Sequence, residues 1–190
     1  MQGENILFIV GAPRSGTTWV QKILASHRLF ITAQESEFFT SIALPVLNNY
    51  DQQLRYPSGR GGTGLPVYFR KSEIEHLLAD MFYKMVSGVD GYVDKSLFIE
   101  KTPSHALTID EINRVLPKSR FVHIVRNPVD VAASMMLASK TWGRVWAPKN
   151  ILAASRMWRK HVTAAMQSFH HIEESRKITI RYEDLRVDPI

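Results

Sequence analysis

The chain has 190 residues, 45% hydrophobic and 22% charged, enough to build one globular domain with a proper core. It has no cysteine, which excludes disulfides, thiolate catalysis and Cys-built zinc sites and agrees with a reducing, cytoplasmic setting. A net charge of +6 points to phosphorylated or polyanionic partners, but Lys and Arg are spread along the chain and no nucleic-acid module appears.

Met1–Asn5 has no basic segment, and the apolar run behind it is too short for a signal peptide or a membrane span. That run, Ile6–Val10, reads as a strand. It stops at Gly11, passes through a polar loop, and re-emerges near Gly16 as a helix carrying Trp19, Val20, Ile23 and Leu24 at helical spacing. Phe30–Ala33 reads as a short strand leading to Gln34–Phe39 and an apolar helical stretch to about Leu47. From Asn48 to Pro66 the chain turns to Asn, Asp, Pro and Gly and predicts a long loop.

Ser72 with Glu75 predicts a capping box opening the next helix. Leu97–Lys101 reads as a strand ended by Thr102-Pro103, and a helix around Asp110–Leu116 stops before Pro117. Arg120–Val125 is a further strand, and Pro128 suits the first turn of the helix after it. Lys140–Lys149 is irregular and aromatic, with Trp142 and Trp146, and a long helix is expected from Ile151 to Ser175. Lys177–Arg181 is the last strand, followed by Tyr182-Glu183-Asp184-Leu185. The alternation predicts right-handed βαβ crossovers and a three-layer α/β fold with a mostly parallel sheet. Ligands of such sheets sit beyond the strands' carboxyl ends. Gly11–Thr18, Lys101–Pro103, Arg126–Pro128 and Tyr182–Asp184 should therefore meet in one cleft.

A strand that feeds a Gly/Ser/Thr loop and a helix start is a device for holding an anion. Gly11 to Thr18 nearly fits the P-loop pattern G-x-x-x-x-G-K-[ST], but Thr17 stands where the lysine for a triphosphate belongs. A basic residue occurs earlier, as Arg14. The loop suits a terminal phosphate or sulfate with no obligatory metal.

Gly11-Ala12-Pro13-Arg14-Ser15-Gly16-Thr17-Thr18-Trp19 resembles the 5′-phosphosulfate loop of the sulfotransferases, enzymes that use 3′-phosphoadenosine 5′-phosphosulfate (PAPS). Arg120–Ser134 resembles their 3′-phosphate segment, in which Arg126 and Ser134 match the gripping residues. Tyr182–Leu185 resembles a third element, whose tyrosine lies near the nucleotide. The resemblance implies a P-loop-like fold, PAPS as co-substrate, and transfer of a sulfuryl group to an acceptor hydroxyl or, less readily, an amine. It places the N–H groups of residues 15–18 and the Thr17 and Thr18 hydroxyls on the 5′-phosphate. Arg14 would meet charge on the bridging oxygen, and Trp19 would lie against adenine or, equally, in the core. The family continues past the Tyr-Glu-Asp-Leu element to a further helix and a basic, Gly-containing loop, whereas this chain stops at Ile190 and reads as one domain lacking that part.

The base is harder to place. Lys101-Thr102 is followed by Pro103, where the cytosolic sulfotransferases have a catalytic His. Glu100-Lys101-Thr102-Pro103 instead resembles the Golgi-type enzymes, in which, as in the tyrosylprotein sulfotransferases, a Glu after the first helix is the base. Glu35 matches that residue; Glu37 and His105 are its rivals. Lys101 would stabilise charge in transfer. His27 and His123 are expected to satisfy local hydrogen bonds, and His170 and His171 to be solvated. The acceptor, whether glycan, lipid, polyketide or small alcohol, is not legible. The alternatives are a metal-dependent nucleotide kinase or NTPase and a non-catalytic nucleotide-binding module.

Overall fold

The computed structural model describes residues 3–55, 64–93 and 96–187. The apolar runs form five strands: β1 (Ile6–Gly11), β2 (Phe30–Thr32), β3 (Leu97–Lys101), β4 (Arg120–Val125) and β5 (Lys177–Arg181). They lie in the order β2-β3-β1-β4-β5 with every neighbouring pair parallel. Parallel strands need long crossovers, and helices supply them. These are α1 (Thr17–Ala25), α2 (Leu44–Leu54), α3 (Leu65–Tyr68), α4 (Lys71–Val86), α5 (Ile109–Val115), α6 (Pro128–Lys140) and α7 (Ile151–Phe169); α8 (Tyr182–Val187) follows the last strand.

Alternation along the strands divides the core. Ile6, Phe8 and Val10 face one layer with Phe39, Leu47, Phe82, Ile112 and Phe169, while Leu7 and Ile9 face Val20 of α1 and Leu185 of α8. Phe8 is the centre of the first layer, its ring 5.6 Å from that of Phe39, 5.7 Å from Phe121 and 5.9 Å from Phe82. The result is the three-layer parallel α/β fold that the alternation predicts. Gly11 ends β1 where a Cβ would sit 2.6 Å from the Ile124 carbonyl oxygen, so the two central strands approach each other there only because the residue is glycine.

Three local expectations are corrected. The segment after Leu47 is helical as far as Leu54, because Leu47 and Tyr50 bury one face. Gln53 donates to Asn49 across one turn, and Lys71 holds Asp51 at 2.6 Å. The polar composition is the wet face of a helix rather than a loop; the expected loop's remaining core, 56–63, lies outside the described residues. The cap of α4 sits two residues early, with the Glu73 carboxylate accepting the Arg70 N–H at 2.6 Å. Finally, α7 stops at Phe169, short of the expected Ser175, and the Phe169 carbonyl accepts the Lys177 ammonium, so the chain turns at His170 to enter β5.

Candidate active site

Beyond the carboxyl ends of β1, β3 and β4 lies a cavity of ≈ 640 Å³. Residues 13–19, except the buried Ser15, line one wall, with Arg126 beside them; Glu35, Glu37, Pro103 and Ser104 form another; Trp142, Trp146, Met157 and His161 complete it. Three of the four strand-end segments thus reach the cavity directly. The fourth, at Tyr182, lies behind it.

The loop after β1 turns through two left-handed residues, Arg14 (φ 72) and Gly16 (φ 98), and α1 starts without a side-chain cap. A Cβ on Gly16 would lie 2.5 Å from the Tyr182 ring, so glycine is required there by backbone and by contact. The Ser15 N–H, expected on the 5′-phosphate, donates in this structure to the Ala12 carbonyl at 3.0 Å. The N–H groups of Gly16, Thr17 and Thr18 have no such partner among the described residues. The Ser15 hydroxyl is fully buried and unpartnered.

Arg126 leaves the end of β4 with its guanidinium 4.3 Å above the Tyr182 ring. Its Nη1 lies 3.5 Å from the Arg14 carbonyl, its Nη2 3.6 Å from Asp130, and its Nε is buried without a partner. Ser134, one helical turn and more into α6, accepts Arg14 Nε at 3.1 Å, and the Arg14 guanidinium stands 5.1 Å over Trp142. Arg14 therefore bridges the loop, α6 and the Trp142 segment. Trp19 is half-buried, packed on the core with its ring 5.5 Å from that of Tyr182, and also lines the cavity.

Lys101 is buried at the end of β3 and forms an ion pair with the Glu35 carboxylate, whose side chain is 42% exposed. Glu37, left-handed at φ 50, has its Oε2 occupied by the hydroxyls of Thr40 at 2.5 Å and Ser104 at 2.9 Å. His105 is fully buried, with Nε2 accepting the Phe39 N–H at 3.2 Å and Nδ1 2.8 Å from Glu100. Since Nε2 accepts, Nδ1 carries the proton and donates it to the carboxylate. Both nitrogens are occupied inside the core, and no part of His105 reaches the cavity.

Several residues that hold the site were not singled out from the sequence. Glu100 is 2% exposed and accepts from the Ser36 hydroxyl and the Thr102 hydroxyl, each at 2.7 Å, as well as from His105. Burial alone would raise its carboxyl; His105, Thr102 and Ser36 more than offset this and hold it below the usual carboxylate range. The network ties the Glu35 segment to the end of β3, next to Lys101. Glu183 accepts the Asn127 N–H at 2.8 Å, and Trp158 donates to the Arg126 carbonyl at 3.0 Å, so α8 and α7 both brace the Arg126 turn. His161 donates Nδ1–H to the Met157 carbonyl at 2.8 Å, leaving Nε2 as a lone pair on a cavity residue. Burial lowers its pKa further than that hydrogen bond raises it, so the ring is neutral. Glu100 and Glu183 stand in the two stretches Glu100-Lys101-Thr102-Pro103 and Tyr-Glu-Asp-Leu, which carry no role for them in the sequence; nothing in composition marks Trp158 or His161.

His27 does make a local bond, accepting the Leu29 N–H at 3.3 Å. His123 does not. Both of its ring nitrogens are buried without a partner, and its ring packs edge-on against Phe169 at 5.7 Å.

Residues 7–190 match the sequence model described as the Sulfotransferase family. The chain belongs to the sulfotransferase family. It is 29% identical over 143 residues to the nodulation protein NoeE of Sinorhizobium fredii, a match covering 73% of this chain and 32% of that protein. An uncharacterised Aquifex aeolicus protein is 29% identical over 131 residues, 67% of this chain and 16% of the relative. The chain thus spans a third or less of the curated relatives it matches. Among solved structures, the sulfotransferase domain of a Synechococcus olefin synthase has a TM-score of 0.66 at 20% identity, covering 100% of this chain and 70% of that one. A sulfotransferase from Alicyclobacillus acidocaldarius gives 0.60 at 16% identity, with 100% and 76% covered. A mouse sulfotransferase solved with PAP, the 3′,5′-bisphosphate, gives 0.56 at 15% identity, with 97% and 54% covered. Among the described residues, no three His, Asp or Glu side chains gather as metal ligands, and no helix is long and apolar enough to cross a membrane.

Proposed function

We propose that this chain transfers a sulfuryl group from PAPS to an acceptor hydroxyl, with Glu35 as general base. The observation that carries the proposal is Glu35 on the cavity wall, ion-paired to the buried Lys101 behind it, in the same cavity that Gly16, Thr17 and Thr18 of the phosphate loop line. A base for the acceptor and a cation for the leaving group, Arg14, line one cavity.

The residues present suit the donor. The N–H groups of Gly16 to Thr18 and the Arg126 Nε are donors without partners among the described residues, and acceptors for them are what a bisphosphorylated nucleotide brings. The loop thus offers backbone and hydroxyl donors to the 5′-phosphate, while Arg126 and Ser134 take the 3′-phosphate. Thr17, in the position of a P-loop lysine, favours a sulfuryl donor over a nucleoside triphosphate. PAPS supplies an activated sulfuryl group with a phosphate as leaving group.

The chain's own part is threefold. Glu35 accepts the proton of the attacking hydroxyl, which raises the oxygen's nucleophilicity as it closes on sulfur. Arg14 on the cavity wall, with Lys101 behind Glu35, offsets the charge that builds on the leaving oxygens. Trp142, Trp146 and Met157 offer the acceptor an apolar wall, and the His161 Nε2 lone pair is placed to receive a polar group of it. The test is transfer of radiolabelled sulfate from PAPS into an acceptor set by wild type and Glu35→Gln. The variant should keep its affinity for PAP and lose transfer by on the order of 10²–10⁴-fold. Full transfer by the variant would remove Glu35 from the role.

A further inference from the structure

Lys and Arg are spread along the whole chain, but Asp and Glu are not. From Val131 to Ile172 there is no acidic residue at all, while Lys140, Arg144, Lys149, Arg156, Arg159 and Lys160 fall inside the segment. Elsewhere the two signs are equal in number, so this segment carries the whole net charge of +6. All six cations are exposed, and none forms an ion pair among the described residues.

The same segment builds the cavity's aromatic wall. Arg144 stands between Trp142 and Trp146, Arg156 precedes Met157, and Lys160 precedes His161. The nucleotide does not account for this charge: its phosphate donors, Arg14, Ser15 to Thr18 and Arg126, lie outside the segment, which lends only Ser134. An apolar aromatic wall bordered by unneutralised cations is complementary to an amphipathic anion.

Resting on the sulfuryl-transfer reading above, we propose that the acceptor is an amphipathic alcohol bearing a negative charge. Its apolar body lies on Trp142, Trp146 and Met157, and its carboxylate or phosphate meets the cations of α7 and of the preceding loop. The hydroxyl then points inward to Glu35, and the charged end stays at the wet rim where Arg156 and Lys160 are exposed.

The test compares ω-hydroxylaurate with its methyl ester, which differ by one charge. Binding of each is measured calorimetrically to the full chain saturated with PAP, and sulfation of each is followed with PAPS. The acid should bind at least about tenfold more tightly than the ester, and the difference should shrink as salt rises from about 50 to about 300 mM. The double variant Arg156→Glu/Lys160→Glu should abolish the preference while its affinity for PAP and its Tm stay those of the wild type. Equal binding of acid and ester, failure of both to bind, or a preference that survives charge reversal would each overturn the proposal. Preferential binding of the acid without sulfation would support the anionic subsite while contradicting the transfer reading, so the two failures are distinguishable.

Discussion

Glu35 comes from the connection after β2 and Lys101 from the end of β3, and the buried Glu100 network brings them together. Glu100 touches nothing in the cavity; it holds Ser36 and Thr102, the residues beside the pair. Replacing it with Ala leaves His105 and two hydroxyls without their acceptor in the core. A loss of roughly 3–5 kcal/mol is expected, read from urea unfolding. Glu100→Gln keeps the shape and one acceptor oxygen, and should lower transfer more than it lowers stability. For Arg126 the proposed role is binding instead. Arg126→Ala should weaken PAP binding by about tenfold to a hundredfold, since it deletes charge-assisted donors, with little change in Tm. The sequence made Arg126, Glu35 and the loop residues legible because their types stand at strand ends in a recognisable order. It marked the stretches that hold Glu100 and Glu183 but not their bracing roles, nor Trp158 or His161, because a polar partner is chosen by tertiary neighbours that no local pattern encodes.

At the scale of elements, the strands were readable because β-branched runs bounded by Gly, Pro or charge have few other uses in a core. The second helix was not, because Asn48, Asn49, Asp51, Gln52 and Gln53 disguise a face that buries only Leu47 and Tyr50. The loop-to-helix turn after β1 depends on Gly16 in two ways, its φ of 98 and the Tyr182 ring beneath it. Gly16→Ala should therefore cost about 1–3 kcal/mol and push Tyr182 from under Arg126. PAP affinity should fall with it, although the substitution removes no donor, and a Tyr182→Ala background should relieve part of the loss.

For the whole molecule, the fold sets a pH limit through β4. His123 is fully buried with no partner for either nitrogen, and burial lowers its pKa to about 4 from 6.5. Between those values the unfolded chain binds the proton and the folded chain does not, so stability falls as pH drops through this window. The loss from this one group approaches roughly 3 kcal/mol at its lower end. His123→Leu should flatten the dependence of the urea midpoint over that range; an unchanged slope would place the acid sensitivity elsewhere. The opposite asymmetry governs the surface, where an acid-free segment concentrates the net charge beside the cavity. Convergence of the strand ends was predictable from topology; which side chains would touch across them was not.

The central claim, a site for a sulfuryl donor in place of a triphosphate, is tested most directly by calorimetric titration with PAP and, separately, with ATP and magnesium. PAP should bind without added metal, and Arg126→Ala should weaken that binding. Magnesium-dependent ATP binding with no response to PAP would contradict the account.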